Sequence, residues 1–106
     1  MQVFTLLGDP VRLRIVEILA SGEQPVGRVT ELVRTRHLVS RSAVSHQLRV
    51  LRDEGFVVYR AYGSGDRYRL AWDAMDRLDA AVEALFVRWE GRVRWPYAVS
   101  LEPPRR

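Results

Sequence analysis

A two-faced helix running straight into a hairpin constrains this chain more than any other feature. Residues 40–52 read Ser-Arg-Ser-Ala-Val-Ser-His-Gln-Leu-Arg-Val-Leu-Arg. Ser40 is a favourable N-cap, because its hydroxyl can accept from a backbone N–H that the first helical turn leaves unpaired. Val44, Leu48 and Leu51 then recur at helical spacing and form an apolar stripe. Arg41, Ser42, Ser45, His46, Arg49 and Arg52 fall off that stripe and project outward. Such a helix suits the major groove of duplex DNA: arginine forks onto guanine O6 and N7, and serine hydroxyls bond phosphates or base edges. Taken alone, the same pattern also describes a solvated helix surface.

The next residues decide between the two. Gly55 stands where helices commonly end. Phe56-Val57-Val58-Tyr59-Arg60-Ala61-Tyr62 is β-branched and aromatic, Gly63-Ser64-Gly65-Asp66 is a turn cluster, and Arg67-Tyr68-Arg69-Leu70 alternates as a return strand. Alternation puts Arg67 and Arg69 on one face and Tyr68 and Leu70 on the other. A sheet that merely covers the core accounts for the apolar face and leaves the basic one unexplained; a wing that contacts DNA accounts for both. The expected fold is mainly α with a β-hairpin wing, a winged helix-turn-helix of five helices plus two strands.

Two stretches bear a family resemblance. Leu7-Gly8-Asp9-Pro10-Val11-Arg12-Leu13-Arg14-Ile15-Val16-Glu17-Ile18-Leu19 resembles the opening helix of ArsR-type (SmtB-like) bacterial repressors, and residues 42–57, from Ser42 to Val57, resemble their recognition helix and first wing strand. The resemblance extends over about residues 3–90. It implies a dimeric winged-helix repressor on a palindromic operator, released by an effector or a change of conditions. One departure is the connector Arg34-Thr35-Arg36-His37-Leu38-Val39, longer than the family usually places before the recognition helix. ArsR-type metal sensors carry cysteine pairs or histidines on particular helices. This chain has no cysteine and two histidines, so the expectation is a member with no metal and no cofactor, leaving room for an unidentified small-molecule effector.

Charge is distributed unevenly. From Arg28 to Arg69 there are nine arginines against Glu31, Asp53, Glu54 and Asp66, whereas from Ala71 to Glu90 there are two against Asp73, Asp76, Asp79, Glu83 and Glu90. A basic middle beside an acidic helix fits a middle that faces phosphate. Membrane binding would want the reverse, a basic amphipathic helix. No run is long enough for a membrane span and none has the pattern of a signal peptide; with no cysteine as well, a cytoplasmic protein is the default expectation.

The remaining chain organises around these elements. Residues 2–7 are expected as a short first helix, Asp9 caps a second with Pro10 in its first turn, residues 21–25 end it, and Val26 to Val33 form a third with Val29, Leu32 and Val33 buried. In a last helix starting near Asp73, Met75, Leu78, Val82, Leu85, Phe86 and Trp89 fall within about a 100° sector. With Val3, Phe4 and Leu7 of the first helix, this stripe is expected to make a two-fold dimer interface. Asp76, Asp79 and Glu83 flank it as a solvated edge. Residues 1–90 make one domain. Residues 91–106 form a tail in which Val93, Trp95, Tyr97, Val99 and Leu101 alternate and Pro96 interrupts, expected to pack across the dimer.

Catalysis finds no support. Ser45 and His46 are neighbours on a helix and point about 100° apart, so they cannot form a nucleophile–base pair. Gly63-Ser64-Gly65 lacks the strand-to-helix setting of a phosphate loop. The alternative from another class is a winged helix that meets an acidic protein partner and has no sequence-specific DNA binding.

Overall fold

A computed structural model of the chain describes residues 1–94. Five helices and three short strands follow in the order α1 (Val3–Leu7), α2 (Pro10–Leu19), β1 (Gln24–Pro25), α3 (Val26–Arg34), α4 (Arg41–Asp53), β2 (Val57–Tyr62), β3 (Gly65–Leu70) and α5 (Ala74–Arg94). The helix starts follow local chemistry. The Asp9 carboxylate accepts from the N–H groups of Val11 and Arg12 at 2.9 and 3.0 Å, with Pro10 at the position where a missing N–H costs nothing. Ser40 Oγ accepts from the Ala43 N–H at 3.1 Å and starts α4.

The end of α4 sets the entry into the wing. Gly55 takes a φ of 73°, which side-chain-bearing residues rarely adopt. Its N–H reaches the Arg52 carbonyl, and the next N–H, from Phe56, reaches back to Leu51 at 2.9 Å. This double return is the Schellman arrangement, and the two residues that usually make its apolar contact, Leu51 and Phe56, are both fully buried in the core cluster. The Phe56 carbonyl then accepts from the Ala71 N–H, which closes the base of the hairpin.

One core joins these elements. Leu6 of α1, Ile15 of α2, Val29 and Val33 of α3, Val44, Leu48 and Leu51 of α4, and Phe56 are all buried, and Leu7, Val11, Leu32, Leu70 and Leu78 pack around them. Val16 and Thr30 are buried as well, although the sequence pattern did not single them out. The Thr30 hydroxyl is satisfied by the Val26 carbonyl at 3.0 Å. Leu32, expected inside, is only partly buried.

The sheet has three strands where two were expected, in the order β1-β3-β2, all antiparallel. Gln24 and Pro25, read from sequence only as a stop to α2, pair with Tyr68 and Arg67 of β3. Proline is tolerated there because β1 is an edge strand with no further ladder to supply. The connector is also shorter than the sequence suggested, since Arg34 belongs to α3. The N–H groups of Arg36 and His37 both return to the Val33 carbonyl, and Arg34 Nε donates to the Val39 carbonyl at 3.0 Å, so the extra residues are folded back on the end of α3.

The boundary expected at residue 90 does not interrupt the helix. α5 continues to Arg94, so Gly91–Arg94 belong to it, while the expected packing of the rest of the tail lies outside the described residues. Among the described residues no helix is long and apolar enough to cross a membrane.

Candidate nucleic-acid interface

Helix α4 separates its two roles cleanly. Val44, Leu48 and Leu51 are at most 1 % exposed, whereas Arg41, Ser42, Ser45, His46, Arg49 and Arg52 all lie at the surface. The first turn therefore offers hydroxyls and a guanidinium together: Ser40 and Ser42 stand with their Oγ atoms 3.0 Å apart, next to Arg41. This row of cations and small donors is held on a buried backbone rather than on a loop, so it presents a fixed pattern to whatever it meets.

The wing packs against the C-terminal half of α4. Its register pairs Tyr59 with Tyr68, whose rings meet edge to face at a centroid distance of 5.4 Å, and the Arg52 guanidinium sits over Tyr59 at 5.0 Å. A cleft of about 230 Å³ lies between the two elements, lined by Ser45, Arg49 and Arg52 on one side and Tyr59, Asp66 and Tyr68 on the other. The Tyr59 phenol is held above its ordinary pKa, first by hydrogen bonding with the Asp66 carboxylate and then by partial desolvation, while Arg52 pulls the other way.

Strand alternation then fixes where the wing arginines lie. Tyr59 and Tyr68 face α4, so Arg67 and Arg69, on the alternate positions of β3, lie on the opposite face of the sheet. The sequence grouped these two arginines correctly on one face but did not say which way that face turns. The structure adds Arg60, directly opposite Arg67 in the ladder. Two like charges placed so cost stability, and Tyr62 offsets this by lying under both, with the Arg60 and Arg67 guanidiniums 5.4 and 5.8 Å from its ring. The signal for Arg60 was available: once the turn is reduced to Gly63-Ser64, the register follows by counting back. Arg69 is held at the base of the wing, over the Trp72 ring at 5.2 Å and donating to the Leu70 carbonyl at 3.0 Å.

The residues expected at a dimer contact divide into two groups. Val3 is 9 % exposed and belongs to the protomer's own core, and Leu7 and Leu78 are packed partly against that core. Phe4, Met75, Val82, Leu85, Phe86 and Trp89 are between 36 and 57 % exposed. The surface around Val82, Leu85, Phe86 and Trp89 is almost wholly apolar, and Val87, outside the expected stripe, is exposed beside it. Among the described residues, no three His, Cys, Asp or Glu side chains come together as a metal-binding group.

Known proteins resemble this chain in sequence and fold. Residues 9–59 match the model of a family described as bacterial regulatory proteins of the arsR family. Over 70 residues the chain is 43 % identical to a transcriptional repressor SmtB homolog of Synechocystis sp.; the match spans 66 % of this chain and half the length of that relative. A crystal structure of a possible transcriptional regulator for arsenical resistance superposes with a TM-score of 0.69 at 32 % identity, covering 81 % of this chain and 85 % of that one. A solution structure from Mycobacterium bovis, a homodimeric winged helix-turn-helix DNA-binding domain, superposes with a TM-score of 0.61 at 27 % identity, covering 85 % of this chain and 80 % of that one.

Proposed function

The chain belongs to the ArsR family of bacterial regulatory proteins, and from that membership and the geometry of α4 we propose that it is a transcriptional repressor that binds a palindromic operator as a homodimer. The observation that carries this reading is the exposed row of Arg41, Ser42, Ser45, His46, Arg49 and Arg52 on a helix whose other side is buried. In the reading, the N-terminal half of α4 enters the major groove, where Arg41 and Arg49 fork onto guanine and Ser42, Ser45 and His46 bond base edges or phosphates. Ser40 fixes the start of the helix and touches the backbone. Arg52 steadies the wing. Arg67, with Arg60, grips phosphate from the wing, and Arg69 supports the same basic surface from its base.

Dimerisation supplies the second half-site. The exposed apolar residues of α5, together with Phe4 of α1, form a patch of the kind that a two-fold contact covers, and the M. bovis neighbour, itself homodimeric, supports this assignment. The release signal is read as a small-molecule effector other than a transition metal, since the chain has no thiolate and only two imidazoles.

Selection from a random duplex pool, with sedimentation of the free protein, tests the whole reading. The expected result is a dimer that enriches an inverted repeat with half-site centres roughly 34–36 Å apart and loses affinity steeply with salt. Arg49→Ala is expected to cost about 1–3 kcal/mol and to relax preference at one base pair, while Arg67→Ala weakens all duplexes alike. A monomer at micromolar concentration, or a pool with no enriched motif, overturns the reading; the second outcome favours an acidic protein as the partner of the basic face.

A further inference from the structure

Two arginines outside the basic face tie α4 to the two helices assigned to the dimer contact. Arg12, on α2, donates from Nε to the Leu6 carbonyl at 2.7 Å and from one terminal nitrogen to the Thr5 carbonyl at 3.4 Å. Its other terminal nitrogen donates to Gln47 Oε1 of α4 at 2.8 Å. One guanidinium thus caps the carbonyls at the end of α1 and holds the middle of α4. Arg77, on α5, donates to the carbonyl of Glu54, the C-cap of α4, at 2.9 Å, and lies over the Phe56 ring at 5.2 Å. A cation at that end complements the carbonyls that a helix C-terminus leaves unpaired. Charge-assisted hydrogen bonds therefore link α4 to α5 directly, through Arg77, and to α1 through the shared guanidinium of Arg12 on α2. Bonds of this class are shorter and stronger than neutral ones, and the fork geometry of arginine fixes angles as well as distance.

We infer that Arg12 and Arg77 are positioning residues that clamp the DNA-reading helix to the dimer frame, so that the frame sets the distance and rotation between the two half-sites. The inference rests on the dimeric, DNA-binding reading above. Its physical basis is geometric. A one-base-pair change in half-site spacing moves a half-site by roughly 3.4 Å along the duplex and also rotates it. A helix held only by apolar packing can tilt to follow part of that change, whereas one pinned at its middle and at its C-terminus cannot. Neither guanidinium needs to touch DNA for this role.

The test uses full-length protein on the operator selected by the wild type, and on versions with the half-sites one base pair closer or farther apart. The wild type is expected to reject both altered spacings. Arg12→Met keeps the aliphatic stem and removes the fork; it is expected to bind the native spacing about tenfold more weakly, the loss of its one bond to α4, and to discriminate little among the three spacings. Affinity for non-specific duplex, its salt slope and the sedimentation mass are expected to stay unchanged. Gln47→Ala is expected to reproduce these effects, and the Arg12→Met/Gln47→Ala double variant to be no worse than either single one, as members of one contact behave. Arg77→Lys retains a donor for the Glu54 carbonyl and is expected to keep spacing discrimination, whereas Arg77→Met loses it. Should Arg12→Met fail to fold, Gln47→Ala carries the measurement, because Gln47 is only half-buried and alanine favours helix. Retained spacing discrimination in Gln47→Ala, additive losses in the double variant, or an equal loss on non-specific duplex overturns the clamp while leaving the operator reading intact. A wild type that is monomeric or selects no motif removes both.

Discussion

Helices α4 and α5 carry the same kind of sequence signal, apolar residues at helical spacing with charge on the other side, and the fold treats them oppositely. The stripe of α4 is closed off within the protomer: Val44, Leu48 and Leu51 are at most 1 % exposed and lock against Phe56. That of α5 meets the core only near its start, through Ala74, Leu78 and Ala81, and beyond them Val82, Leu85 and Phe86 lie at the surface. Periodicity reports that a face wants an apolar partner; it does not report whether that partner is in the same chain. The number of elements that can reach the face decides that. α4 sits between α2, α3 and the wing, whereas α5 touches the body chiefly through α1.

The largest effect that separates the two helices is expected at the end of α4. Phe56→Ala removes a fully buried ring from the Schellman contact and from beneath Arg77, and is expected to cost about 3–5 kcal/mol. Urea unfolding followed by far-ultraviolet dichroism measures it, and the shift in midpoint should be the same at every protein concentration, since the lost contacts lie within one protomer. A loss below about 1 kcal/mol would mean that the site collapses around the deletion, and the contrast with α5 would weaken.

On α5 the corresponding change should act on assembly. Phe86→Glu places a charge on a 55 %-exposed position. It is expected to leave the helical content of the monomer intact while raising the dimer dissociation constant more than tenfold, because truncating a central aromatic contact in an interface costs about 2 kcal/mol or more. The apparent stability of the wild type should rise with protein concentration, and that of the variant should not. Sedimentation equilibrium reads the dissociation constant, and urea unfolding across a concentration series reads the stability. A variant that remained dimeric with unchanged affinity would remove this stripe from the two-fold contact.

The same contrast explains what could be read before any coordinates. The cap at Ser40, the stripe of α4 and the Gly55 stop are local signals within a few residues of each other and are found where expected; the two-strand hairpin is found as well, with Gly65 and Asp66 in its second strand rather than in its turn. The third strand was not legible, because two residues ending in proline carry no alternation to detect. Arg60 was legible only through the register of the hairpin. The bond from Arg12 to Gln47 joins positions 35 apart, and nothing local marks either residue for the other. Val3 reads as apolar on the first helix, which says that it is covered but not by what; the structure puts it in the protomer core.

The smallest effect lies in the polar seam between α4 and the wing. The Asp66 carboxylate raises the pKa of the Tyr59 phenol above the ordinary value near 10, against the pull of Arg52. A raised folded-state pKa means that folding favours the neutral phenol. This contribution to stability is therefore complete below the ordinary value and is lost as pH climbs through the folded one, so stability falls with pH in that alkaline window. Asp66→Asn replaces the carboxylate whose hydrogen bonding and charge raise the phenol's pKa, and Tyr59 is expected to ionise at lower pH, nearer an ordinary tyrosine, with Arg52 then the remaining charge beside it. Phenolate absorbance of the native protein follows the titration directly. Asp79→Asn on α5 is the matched control, an exposed carboxylate outside this seam, and is expected to leave the tyrosine titration where it is. An unchanged curve for Asp66→Asn would mean that Asp66 does not hold the phenol, and that α4 and the wing are joined by the Arg52–Tyr59 stack and apolar packing alone.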